Sequence, residues 1–375
     1  MKTFLKPRGL GMLMSLLLLG TCAAGNSVDQ RLPANVMMNE DAGCGNWLFV
    51  RLHLEDGDEL PFFIDTGAAS TYLDKSLAAK LGQPIASDKH VSPRYPAPKL
   101  FLGNVPLKTG TTVGVQDFTN ESSAAGRRVM GVLGIDCLKH YCIQLDFEAG
   151  EIRFLDPNHL ETGSLGQAFP LGFSKERQQP LLENCNLVRG NGKPTLIDSG
   201  YQGADGTLNA EQFSAAIRDG AVIPIENRPG WARLRGCLWH GETHTNLIIA
   251  RADWNAIGLG FLARHLVTLN FPERRIYLKQ TRVSPFITED LDTGIEFLTG
   301  LKKKGQLPGC TADDKGRLDY FGPHSNPLTF TLRKKGDAFI YHYAIVRASK
   351  ASPWQLQKAW QTDQNGRSII EFPVP

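Results

Sequence analysis

Two stretches of the chain place an aspartate at the end of an apolar run. In "PFFIDTGAAS", residues 61 to 70, Phe62, Phe63 and Ile64 precede Asp65, and Thr66 and Gly67 follow it. In "PTLIDSG", Leu196 and Ile197 precede Asp198, and Ser199 and Gly200 follow. A carboxylate delivered by a buried strand is expensive unless something uses it. Two of them brought face to face cannot both ionise cheaply, so they share one proton, and the titration belongs to the pair. The ionised member can take a proton from a water held between them. The protonated member can hydrogen-bond a scissile carbonyl and later hand a proton to the leaving amine. That chemistry needs no metal, no cofactor and no covalent intermediate. Thr66 and Ser199 offer hydroxyls that can cross to the opposite backbone. Gly67 and Gly200 allow close approach and leave their amides for the carboxylates.

The elements that must deliver these residues are legible as a repeat. "WLFVRLHLEDGDELPFFID" reads as a hairpin turning at Asp56-Gly57 and running into Asp65. "LDKSLAAKLG" reads as a short helix closed by Gly82. "VMGVLGIDCLKHYCIQLDFEAGEIRFL" then gives a strand, a tight turn at Gly134, a short helix and a hairpin. "NAIGLGFLARHLVTLNFPERRIYLK" matches it without gaps at an offset of 124 residues (258 − 134), pairing Gly134 with Gly258, Leu138 with Leu262, Leu145 with Leu269, Phe147 with Phe271 and Ile152 with Ile276. Asp198 follows Asp65 by 133 residues (198 − 65), so the second copy is nine residues shorter (133 − 124) between its aspartate and its glycine turn. Such internal repetition points to two equivalent lobes.

"IDTGAAST" followed by "GVLGIDCL" resembles the retropepsin-type aspartic protease motif, and "LIDSG" with "AIGLGFL" resembles it again. The resemblance covers about residues 45 to 282. It implies a mainly β, bilobal aspartic protease of two duplicated, closed β-barrel lobes, spanning 45–157 and 165–282, in one monomeric chain. It also implies that Asp65 and Asp198 are the catalytic pair, with Thr66, Gly67, Ser199 and Gly200 supporting them. Tyr201 departs from the pattern, since the family carries a small residue there. The covering flap is expected within residues 85 to 103, where the stretch is rich in proline and lacks the usual glycine tip. The alternative is a protein that retains the fold and grips peptides or another chain without cleaving them.

Residues 288–375 match neither copy. Leu291, Ile295, Leu298 and Leu301 fall on one helical face. Strand-like runs follow in "PLTFTLR", "FIYHYAIVR", "PWQLQKAWQ" and "SIIEFPVP", with turns at Gly336-Asp337 and Asn365-Gly366. A C-terminal α+β domain is expected, one helix against an antiparallel meander, similar to cystatin-like or NTF2-like sheets. Asp292-Thr293-Gly294 has no apolar strand before it and reads as a helix start.

The 375 residues are 42% hydrophobic with a net charge of +3, an ordinary globular balance that argues against nucleic acid as a partner. A peptide or protein substrate is the partner expected. Lys2, Lys6 and Arg8 precede the apolar run Leu10 to Leu19 and small residues, which reads as a signal peptide over 1–24. The chain is therefore expected to be exported, periplasmic or extracellular. "LGTC" also resembles a lipoprotein box, which would anchor it to a membrane through Cys22 with no spanning segment. Of seven cysteines, Cys185 and Cys237 share the second lobe and are the expected bridge. No cysteine spacing resembles a zinc site. His240 and His244 have helical metal-pair spacing, but Gly241 and the strand-like flanks point to a polar hairpin.

Overall fold

The first hairpin pairs Phe49–Leu54 with Glu59–Ile64, Phe49 opposite Phe63 and His53 opposite Glu59. Gly57 takes a positive φ of 85° at its turn. The computed structural model describes residues 35–374, apart from 89–90, 104, 184–186, 189–193, 226–228, 286–288, 321–326, 335, 350 and 364–366. The expected leader, the lipid-bearing Cys22, the Cys185 half of the expected bridge and the Asn365-Gly366 turn lie outside the described residues. The five described cysteines, Cys44, Cys137, Cys142, Cys237 and Cys310, are free thiols. No described helix is long and apolar enough to cross a membrane.

The protein is mainly β. Glu59–Ile64 lies between its hairpin partner and the parallel strand Gly131–Leu133, with Ile64 opposite Leu133. Flanked on both sides and covered on both faces, it must be continuously apolar, and Phe62, Phe63 and Ile64 are all buried. Thr195–Asp198 lies in the same way beside the parallel strand Ala256–Gly258.

The likeness extends across the sheets. In the first half the neighbouring strands run Phe49–Leu54, Glu59–Ile64, Gly131–Leu133, Tyr72–Asp74, Thr112–Gln116, Val91–Pro96, Ala86–Asp88. In the second they run Pro180–Leu182, Thr195–Asp198, Ala256–Gly258, Gly206–Asn209, Glu242–Ala252, Trp231–Trp239, Ile223–Pro224. All six successive pairings keep the same sense in both halves: antiparallel, parallel, antiparallel, parallel, antiparallel, antiparallel. The hairpin of Ala86–Asp88 with Val91–Pro96 falls inside the stretch expected to carry a flap.

Neither run closes into a barrel, which corrects the expectation of two closed lobes. The hairpin Cys142–Asp146 with Glu151–Leu155 instead joins the hairpin His265–Asn270 with Arg275–Gln280, edge to edge, in a sheet that runs through both halves. Pairing satisfies these edges as fully as closure would. Gln144 lies opposite Thr268, its own counterpart in the repeat (268 − 144 = 124), flanked by Ile143–Leu269 and Leu145–Val267. A local twofold axis passes through that pair, and Gln144 Nε2 donates to Thr268 Oγ1 at 2.9 Å. The strand Asn35–Met37 adds to the far side of Glu151–Leu155, so this sheet reaches back before residue 45.

In the C-terminal region the helix Glu289–Lys303 accompanies a five-stranded antiparallel sheet, Gly316–Tyr320, Leu328–Lys334, Ile340–Val346, Gln355–Thr362 and Ser368–Phe372. Leu298, Phe330, Leu332, Tyr343 and Ile345 form its core, with Ile295 and Leu301 packed against them. The side chain of Leu291 lies outside the described residues. Asp292-Thr293-Gly294 sits within the first two turns of the helix, and a Cβ on Gly294 would meet Ile345 and Phe330 at 3.0 and 3.1 Å. This core is not wholly its own, because it also encloses Cys44, which is 7% exposed. A chain ending at Pro285 is therefore expected to fold but to uncover that thiol. Alkylation of Cys44 should be fast in the shortened chain and slow in the full one, and equal rates would contradict the shared core.

Candidate active site

Asp65 and Asp198 each stand at the mouth of a parallel strand pair. Asp65 N donates to the Leu133 carbonyl at 3.1 Å, and Asp198 lies opposite Gly258. The turns that follow have matching geometry. Ile135 N donates to the Ala68 carbonyl at 2.9 Å, and Leu259 N donates to the Tyr201 carbonyl at 2.8 Å.

The two turns lock into each other. Thr66 Oγ1 donates to the Ile197 carbonyl at 2.6 Å and accepts from Ser199 N at 3.0 Å. Ser199 Oγ donates to the Ile64 carbonyl at 3.0 Å and accepts from Thr66 N at 3.0 Å. Both residues are buried, at 1% and 0% exposure. Each hydroxyl thus serves one donor and one acceptor of the opposite backbone, which a hydroxyl side chain is equipped to do.

This interlock brings the carboxyl groups together. A Cβ on Gly67 would stand 2.6 Å from Asp198 Oδ1, and one on Gly200 would overlap the Asp65 carboxyl, so only glycine admits the opposite side chain at either place. Asp65 Oδ1 accepts from Gly67 N at 2.7 Å and Ala68 N at 3.0 Å. Asp198 Oδ1 accepts from Gly200 N at 3.0 Å. Desolvation raises the Asp65 carboxyl above its ordinary value, against the pull of the Gly67 and Ala68 amides and a hydrogen bond with Asp198. Desolvation and then the charge of Asp65 push Asp198 up to about 7. Asp65 and Asp198 are each half-buried residues.

Tyr201 does not disturb this arrangement. Its amide donates to the Asp198 carbonyl at 3.2 Å, and its ring lies over Gly203 and Gly258 within its own half. The glycines make the room that a small residue at 201 would otherwise leave.

Two supporting contacts were not singled out from the sequence. Trp47 Nε1 donates to the Gly200 carbonyl at 2.7 Å, while Gln179 Nε2 donates to the Gly67 carbonyl. Each crosses from one half to the glycine of the other. Trp47 precedes Asp65 by 18 residues (65 − 47) and Gln179 precedes Asp198 by 19 (198 − 179), so alignment of the halves was the signal that could have found them.

His240 sits with a φ of 47° at the turn between Trp231–Trp239 and Glu242–Ala252, so the expected hairpin is present. His244 is not part of a polar surface; it is fully buried. No family model matches the chain, and no curated protein matches it.

Removing either interlocking hydroxyl leaves a buried amide and a buried carbonyl without partners. Thr66→Val and Ser199→Ala should each destabilise the protein by at least about 1–3 kcal/mol. Urea unfolding measures this, and an unchanged midpoint for both would show that the interlock contributes nothing.

Proposed function

We propose that the chain is an aspartic endopeptidase built of two retropepsin-like halves in one polypeptide, exported by its N-terminal leader and acting on peptide or protein substrates as a monomer. The observation that carries this reading is the reciprocal Thr66–Ser199 interlock, which sets each aspartate carboxyl against the glycine of the opposite turn. The repeated strand order and the sharing of one sheet by both halves support it.

The two aspartates divide the work. Asp65 accepts two backbone N–H groups on Oδ1 and is the better placed to carry the negative charge. Asp198, raised to about 7, holds the shared proton. A water between them gives a proton to Asp65 as its oxygen attacks the carbonyl carbon of the substrate. Asp198 protonates the carbonyl oxygen, and a tetrahedral diol forms. The proton gained by Asp65 passes to the amide nitrogen as the carbon–nitrogen bond breaks, and a diol hydroxyl returns its proton to Asp198. The products are an acid and an amine, and the dyad again holds one proton.

Asp65→Asn and Asp198→Asn should each lower kcat by about a thousandfold or more, and the double variant should fall little further, because the residues act as a unit. If Asp198→Asn alone kept nearly full activity, Asp65 would have to work with a carboxylate from another chain. A wild-type protein that binds peptides and cleaves none would instead be a binding module.

The pH dependence follows from the raised carboxyls. Activity requires the shared proton, which is present below about pH 7 and leaves as the pH rises through that value. The profile of kcat/KM, which reports the free enzyme, should fall on its alkaline side near pH 7. A profile flat from pH 5 to 9 would contradict a shared proton.

A further inference from the structure

The second half buries a polar cluster that the dyad does not use. Glu242 and His244 lie two residues apart on the strand Glu242–Ala252, and so on one face of it. His265 opens the strand His265–Asn270. Both imidazoles have no exposed surface, and the Glu242 side chain is 19% exposed. His265 Nε2 lies 3.0 Å from Glu242 Oε2, and His244 Nε2 lies 3.5 Å from the same oxygen. One ligand atom from each of the three residues falls within 4.8 Å of the others.

The surrounding hydrogen bonds decide which atoms face the centre. His265 Nδ1 lies 3.0 Å from the Phe261 carbonyl, a pure acceptor, so the ring carries its proton there. The Nε2 lone pair is then turned on a carboxylate oxygen. Gln280 N donates to Glu242 Oε1 at 3.1 Å, which aims Oε2 at the histidines. Among the described residues His244 Nε2 has no hydrogen-bond partner, although it is buried. Lone pairs facing one another at such distances need positive charge between them. A proton on His265 Nε2 joins that ring to Glu242, but one on His244 Nε2 meets the same oxygen only at 3.5 Å and makes no hydrogen bond, whereas a divalent cation serves all three groups.

Other charges nearby are already matched. Arg264 donates to Asp205 Oδ1 at 2.9 Å, and its Nη1 to the carbonyls of Thr245 and Val283. Phe261 and Trp239 lie against His244, with ring centroids 4.9 and 6.3 Å away, and cover that side of the cluster.

We propose that Glu242, His244 and His265 form a zinc site, with a water molecule as fourth ligand. Two imidazoles and one carboxylate suit zinc in donor type and number. The Phe261 carbonyl and the Gln280 amide are the outer supports that such ligands ordinarily have. Zinc at His244 Nε2 puts a proton on Nδ1, which lies 3.3 Å from the Gln280 side-chain nitrogen, whose own hydrogens go to the carbonyls of Thr243 and Arg282. The partly exposed side of Glu242 gives the metal and its water a way in. The bound ion ties the hairpin of residues 231–252 to the strand that begins at His265.

The test uses the full chain without a histidine tag, stripped by a chelator and dialysed against zinc. One zinc per chain is expected, together with a rise in Tm on zinc addition, since a ligand of the folded state stabilises it. Cobalt in place of zinc should give visible absorption bands of a site with nitrogen and oxygen ligands. Glu242→Gln and His244→Asn should weaken binding at least about a hundredfold, because losing even an outer support costs 10–100-fold. Glu242→Gln, isosteric and partly exposed, carries the test if His244→Asn fails to fold, with circular dichroism as the check. Wild-type protein that takes up no zinc overturns the proposal and leaves a proton as the positive charge. So does zinc uptake that is equal in wild type and folded Glu242→Gln.

Discussion

The arrangement of the site depends on four hydrogen bonds among two hydroxyls and two strand ends. Thr66 and Ser199 each donate one and accept one across the junction of the halves. The carboxyl groups beside them are desolvated and repel each other once both are charged. Left to themselves they would pull the two turns apart. The interlock is uncharged and buried, so neither salt nor a change of pH loosens it. It fixes backbone to backbone and makes no use of the aspartate side chains.

The frame is symmetric, but what hangs on it is not. The corresponding supports of the glycine carbonyls are an indole in one half and an amide in the other. Near the glycine turn of the first half, Thr71 Oγ1 accepts from Gly134 N at 3.2 Å and donates to Asp136 Oδ1 at 2.8 Å. In the second half the Gly258 amide goes to the Asp205 carbonyl, and the Asp205 side chain meets the buried Arg264. One half is thus held by a hydroxyl donating to a carboxylate and the other by an ion pair. The surroundings of the two turns are therefore unequal even though the turns themselves match in pattern.

Much of this was legible in the sequence, for physical reasons that differ from part to part. The Asp-Thr-Gly and Asp-Ser-Gly turns stood out because each needs an apolar strand before it and a glycine after it, and both needs leave fixed marks. The helix and strands of the C-terminal region were legible from their periodicity. Barrel closure was not, because a strand alternates in the same way whether its edge meets its own sheet or a hairpin from the other half. Trp47 and Gln179 escaped notice because they do the same work with different chemistry. Glu242 and His265 are 23 residues apart (265 − 242), and only the folding of two separate hairpins brings them together. The doubt that a bulky Tyr201 raises is removed by Gly203 and Gly258, which no local reading connects to it.

The sheet that runs through both halves also sets a timetable for folding. Cys142–Asp146 has its own hairpin partner as soon as residues 151–155 are made, but its other edge waits for residues 265–270. Until then the emerging chain exposes a buried-type strand, with Ile143 and Leu145 beside open backbone groups. Such an edge will pair with any strand offered, including the same edge of a second nascent chain. The twofold axis at Gln144 makes that mistake easy, because an edge that fits its own counterpart antiparallel comes close to fitting itself. Crowding of half-made chains is therefore the condition under which this protein is most exposed to misassembly, and slow arrival of the second half would lengthen the exposure.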